Sequence, residues 1–102
     1  MKLPVRLTEK AEADLNNLYD YIQANNPARA ASYVLELTQA GYRLGDLPET
    51  GRRRDDLGEG LRSFVFRKRQ IIIYEIFPDR IEILRIFSAG RDIHALIGED
   101  RN

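Results

Sequence analysis

The sequence predicts an α+β fold: an N-terminal strand, then an α-helical hairpin packed on one face of a small antiparallel sheet, with a short C-terminal helix. Three observations predict it. Apolar residues recur at helical spacing through much of the first half, β-branched and aromatic residues concentrate between Leu61 and Phe87, and Asn26-Pro27 divides the helical region in two.

Leu3, Val5 and Leu7 alternate with polar neighbours, the period-2 pattern of a half-buried strand, and Pro4 puts that strand at or near a sheet edge. Thr8 stands where an N-cap belongs and Glu9 suits the positive end of a helix. Ala11, Leu15, Leu18, Tyr19 and Ile22 form its apolar stripe, and the helix ends near Asn25. Proline disfavours helix in the residue before it but suits the first helical position, so Asn26 caps a second helix that starts at Pro27. Ala30, Val34, Leu37, Gly41 and Leu44 follow a 4-3-4-3 spacing, with Gly41 allowing a neighbouring element to come close, and Leu47-Pro48 closes the hairpin.

Glu49 to Gly60 is polar and glycine-punctuated, and reads as a loop. Three strands follow as an antiparallel meander: Leu61 to Phe66, Gln70 to Phe77 and Ile81 to Phe87, with Pro78-Asp79-Arg80 as the last turn. Ile71, Ile72 and Ile73 are consecutive, so the middle strand is apolar on both faces and belongs at the centre of the sheet. Asp92 caps a short helix from Ile93 to Ile97.

A chain of 102 residues with 43% hydrophobic content suits one domain spanning residues 1–102 and a surface site rather than a deep pocket. With no cysteine and one histidine it supplies neither a thiolate nor a multi-ligand zinc centre, and no cofactor or metal is expected. The N-terminus lacks a secretory h-region and any run of roughly 20 apolar residues, so the expected location is the cytoplasm, with no membrane contact. Net charge is zero, but residues 52–69 hold seven basic residues against three acids, a local excess of four. Asp55-Asp56 follow Arg52-Arg53-Arg54 at once and cancel most of that triplet's field, so direct nucleic-acid binding is not expected.

Five phrases carry a family likeness, in order and with matching spacing: LTEKAEADLNNLYDYI with the Asn26-Pro27 hinge; LPETGR; GEGLRSF; IIIYEI; and IEILRIFSAGRDIHALI. Over nearly its whole length the chain resembles the ParE toxins of the RelE/ParE type II toxin–antitoxin superfamily. The resemblance implies a toxin neutralised in a hetero-oligomer by a cognate antitoxin and poisoning DNA gyrase by binding, not as an enzyme. It further implies an antitoxin segment that folds onto a hydrophobic groove and sheet edge, with Leu15, Leu18, Tyr19, Val34 and Leu37 of the hairpin as candidate contacts. Core packing is the ordinary role for such residues.

Guanidinium groups make strong contacts with phosphates and carboxylates, which singles out Arg62, Arg69, Arg85 and Arg91 as the candidate target-binding surface. The plainer reading is a solvated sheet face, in which Arg62 and Arg85 pair with acids such as Glu75 and Glu82 on neighbouring strands. The related RelE branch cleaves messenger RNA on the ribosome, often with a tyrosine or histidine near the C-terminus. In that alternative Arg62, Lys68, Arg69 and Arg91 hold the phosphate and His94 is the one candidate proton carrier. The segment after Ser88-Ala89-Gly90-Arg91 has no tyrosine, and no acid is placed by sequence to orient His94. A third reading is a homologue that has lost toxicity and only binds antitoxin.

Overall fold

The computed structural model describes residues 2–101. Five strands form one sheet in the order β1 (Val5–Leu7), β5 (Ile81–Ser88), β4 (Gln70–Ile76), β3 (Leu61–Phe66), β2 (Arg52–Arg53). Between β1 and β2 run helices α1 (Glu9–Asn25) and α2 (Pro27–Arg43), and α3 (Ile93–Arg101) follows β5. β1 is an edge strand, as Pro4 requires, and β4 is central.

The sheet departs from the expected one in two respects. β1 runs parallel to β5, because α1 and α2 carry the chain away and back before the meander begins, so the sheet is mixed. Arg52–Arg53, expected in a loop, adds a fifth strand beside β3, although exposed arginines give it no apolar alternation to detect. The C-terminal helix also continues past Ile97 to Arg101, where polar residues carry no stripe.

Local chemistry accounts for the element boundaries. The Thr8 hydroxyl accepts the Ala11 N–H at 3.2 Å and donates to Leu84 O at 2.8 Å, so one side chain starts α1 and ties it to β5. Leu84 is the residue to spare where the β4–β5 register slips between Ile73 and Tyr74. Asn26 Oδ1 accepts the Arg29 N–H at 3.2 Å, starting α2 at Pro27. Asp92 accepts the Ala95 N–H at the start of α3.

The helical hairpin covers one sheet face, packing Leu15, Leu37 and Leu44 against Ile72, Ile83 and Ile86. A methyl on Gly41 would meet Ile83 Cδ1 at 2.8 Å, so the glycine does permit the close approach of α2 to β5. The opposite face packs Ile73 and Phe87 under Ile93 and Ile97 of α3 and Leu57. Consecutive isoleucines in β4 therefore serve two cores. Tyr19, placed on the α1 stripe by spacing, is half-buried and belongs to neither.

Candidate functional site

The register of β1 with β5 ends at Leu7–Ile83, leaving the rest of β5 without a strand on that side. α1 lies there instead, and Asp14 closes the gap. Its carboxylate accepts the Ile86 N–H at 2.8 Å together with Nε and Nη2 of Arg85, both at 2.8 Å. Arg85 Nη1 also donates to Asp100 at 2.9 Å, and Asp100 accepts from Lys10 at 2.8 Å. Arg85 is only 18% exposed and its guanidinium lies 4.6 Å from the Phe87 ring centre. The Asp14 bond, opposed by burial and joined by Asp100, raises the pKa of this guanidinium further. Burial pushes the Asp100 carboxyl up, but hydrogen bonds from Lys10 and Arg85 outweigh it and leave the group below its ordinary value. These bonds hold α1, β5 and α3 together.

Beyond this ion cluster two adjoining hollows of about 320 and 490 Å³ share Leu18, Tyr21, Gln70 and Ser88 and form one open cleft between α1 and the end of the sheet. Arg91 lines the first, and Arg29, Arg67 and Arg69 line the second. The buried Tyr33 hydroxyl bonds to the Gln70 side chain at its base. Burial raises the Tyr33 pKa despite the opposing charge of Arg69, so the phenol stays protonated at neutral pH. Arg29 lies 5.2 Å from the Tyr33 ring centre and shares Glu36 with Arg67 at 2.7 and 2.6 Å. Hydrogen bonds from Arg29 first and Arg67 second hold the Glu36 carboxyl below its usual range.

The four candidate target-binding arginines thus fall in different settings. Arg69 and Arg91 are exposed on the cleft and pair with no acid among the described residues. Arg85 lines the same cleft with its guanidinium already taken by Asp14 and Asp100, rather than by an acid on a neighbouring strand. Arg62 stands at the opposite end of β3 from Arg69, where Nη1 donates to Gly51 O at 2.8 Å. Glu75 and Glu82 face each other in the β4–β5 register, and Glu82 is bonded by Arg80. Of the five candidate antitoxin contacts, Leu15 and Leu37 are buried in the core, Tyr19 and Val34 are half-buried, and Leu18 lines both hollows. Tyr21, which the sequence analysis did not single out, is 69% exposed on the cleft. Its position one residue before the stripe residue Ile22 is the signal that it leaves the core.

His94 has an acid that spacing did not reveal. Its Nε2 lies 2.8 Å from Asp56 Oδ2, across 38 residues of sequence, and Arg54 grips the same carboxylate at 3.0 and 2.9 Å. The Arg54 bond holds the Asp56 carboxyl well below the usual carboxylate range; burial opposes it, and the His94 bond adds a smaller lowering. This cluster stands where α3 meets the β2–β3 loop, and none of its residues lines the cleft.

A family model described as the ParE toxin of the type II toxin–antitoxin system parDE matches residues 5–93. Toxin ParE3 of Caulobacter vibrioides is 30% identical over 93 residues, covering 90% of this chain and 92% of the relative. Among solved structures, a chromosomal ParDE toxin–antitoxin system from P. aeruginosa aligns with a TM-score of 0.74 at 25% identity, over 85% of this chain and 96% of that one. A RelBE2 toxin–antitoxin complex from Mycobacterium tuberculosis shares the fold, with a TM-score of 0.59 at 22% identity over 86% of this chain and 99% of the other.

Proposed function

Because the chain belongs to the ParE toxin family of type II toxin–antitoxin systems, we propose that it acts in the cytoplasm by binding DNA gyrase and is held inactive by a cognate antitoxin. The reading is inhibition by occupancy, not turnover. One observation carries it: the exposed, acid-free guanidinium groups of Arg69 and Arg91 stand on an open cleft that no histidine lines. That arrangement supports recognition of anionic groups by charge and hydrogen bonding. Leu18 and Tyr21 in the same cleft support an antitoxin contact, since a partner segment covering them also covers the two arginines. Purified toxin tested against gyrase supercoiling decides the matter. Supercoiling untouched at large toxin excess, with ribosome-bound message cut, sinks the gyrase reading.

The Asp56–His94 pair favours one alternative, a RelE-like endoribonuclease with His94 as proton carrier oriented by Asp56. Cleavage that survives unchanged in both His94→Ala and Asp56→Asn removes that chemistry. Normal growth of cells expressing the chain alone points to the third reading, a non-toxic antitoxin-binding homologue.

A further inference from the structure

Gln70 is a polar side chain in an enclosed place. It opens β4 at 7% exposure, and its side-chain oxygen accepts the hydroxyl of Tyr33, itself 8% exposed. No group among the described residues accepts from its amide nitrogen, yet every fully enclosed side-chain nitrogen and oxygen among those residues has a partner. The Gln70 amide nitrogen therefore reaches open space, in the hollows that Gln70 lines. A fixed donor that no acceptor of the chain matches is suited to an acceptor brought by a ligand.

The larger hollow, of about 490 Å³, surrounds this donor with positive charge. Arg29, Arg67 and Arg69 line it and no acid does. Glu36 bonds Arg29 and Arg67 at 2.7 and 2.6 Å, so three guanidinium groups against one carboxylate leave a net charge of two. A single carboxylate answers half of that charge, whereas a phosphate monoester, at about −1.5 to −2 near pH 7, answers nearly all of it. The cationic groups are also set in place beforehand. Arg67 lies 5.0 Å from the Phe66 ring centre and Arg29 5.2 Å from that of Tyr33. The Arg69 backbone is tied at both ends, its N–H to Phe66 O at 2.9 Å and its O to the Ala89 N–H at 2.7 Å. Ser88 stands opposite Gln70 in the β4–β5 register and adds an exposed hydroxyl.

Beside this charged end the walls are apolar and aromatic, formed by Leu18, Ile22 and the ring of Tyr21, which is 69% exposed. An exposed aromatic ring stacks on any nucleobase, and the hollow lies within the range of small-molecule sites, roughly 300–1,000 Å³. We propose that this hollow is a mononucleotide site, with the phosphate monoester on Gln70 Nε2, Arg69 and the Ser88 hydroxyl, and the base against Tyr21. It goes beyond the toxin reading, because the ligand is a small molecule rather than gyrase or an antitoxin. A nucleic-acid strand fits less well. Each of its internal phosphates carries one charge, and Arg53 and Arg54 are bonded to Asp55 and Asp56, so no basic track leads away from the hollow.

Isothermal titration calorimetry of the whole chain with AMP, beside adenosine and inorganic phosphate, tests the site. AMP is expected to bind saturably and about tenfold tighter than either, because each of those carries only part of the contacts. Arg69→Ala is expected to weaken AMP and phosphate alike, about tenfold. Tyr21→Ala is expected to weaken AMP about tenfold and to leave phosphate unchanged. Gln70→Glu keeps an oxygen for Tyr33 but sets a carboxylate against the phosphate, so AMP binding is expected to be lost. Should that variant not fold, the exposed positions Arg69 and Tyr21 still decide. Arg52→Ala, on the far edge strand, is expected to bind AMP as wild type does. The proposal is overturned by AMP that does not saturate at millimolar concentration or binds no tighter than adenosine or phosphate. Arg69→Ala within twofold of wild type overturns it too, as does a short single-stranded oligonucleotide without a terminal phosphate that binds tighter than AMP. None of these readouts involves gyrase or an antitoxin, so they stand whichever way the gyrase assay falls.

Discussion

Replacing Arg85 with alanine separates a structural arginine from a target-binding one. The side chain is 18% exposed and its partners Asp14 and Asp100 are 13% and 20% exposed, so all three charges are largely withdrawn from water. Removing a partner from a fully buried ion pair costs about 3–5 kcal/mol, while an exposed pair is worth about 0–1 kcal/mol. Asp14 would keep the Ile86 N–H and Asp100 would keep Lys10, and some water reaches both, so the expected loss is about 2–4 kcal/mol. An unfolding entropy of about 2.1 cal/mol/K per residue makes each kcal/mol worth about 5 °C over 102 residues. Arg85→Ala should therefore melt roughly 10–20 °C below wild type, and a matching fall in the urea midpoint without a change of slope would show that the loss is one of stability. Arg69→Ala and Arg91→Ala should stay within about 0.5 kcal/mol. If Arg85→Ala is as stable as wild type but no longer binds its target, the ion cluster is incidental and Arg85 acts at the surface.

Gly51→Ala should cost about 1–3 kcal/mol in urea unfolding, because the new methyl would lie 2.6 Å from Tyr74 Cε1 and 2.8 Å from Ser63 O; wild-type stability would mean that Tyr74 moves freely. Tyr74→Phe should cost about 1–3 kcal/mol, since the buried hydroxyl donates to Pro48 O at 2.7 Å and accepts the Gly51 N–H at 2.8 Å. The double variant should lose less than the two single losses added together. Acid should unfold the protein through carboxyls whose folded pKa values lie below their unfolded ones, including Asp100. The stability they contribute is complete above the unfolded values near 4 and is lost as pH falls through the folded ones. Urea midpoints should thus hold from about pH 7 to 5 and drop below about 4, with a shallower drop in Asp100→Asn.

Local pattern was enough wherever one short-range rule governed. Thr8, Asn26 and Asp92 are capping residues in sequence and cap in the fold, because a cap needs only a side-chain oxygen near the next turn. Three consecutive isoleucines required cover on both sides of β4, and α3 supplies the second cover. The parallel pairing of β1 left no such trace, since strand direction follows from how the hairpin carries the chain. The slip at Leu84 was equally silent, being a matter of register between two strands.

At the candidate site the division is sharper. The sequence by itself determined which residues carry charge, which helical faces are apolar, and the phrases by which the family is known. It left Arg62, Arg69, Arg85 and Arg91 equivalent, because an arginine has the same reach and charge wherever it stands in a chain. Tertiary structure distinguished them by bringing Asp14 and Asp100 to Arg85 and none of the described acids to Arg69 or Arg91. The same kind of contact gave His94 its carboxylate from 38 residues away. Whether a charge is spent or available depends on neighbours distant along the chain, and only the fold selects those neighbours.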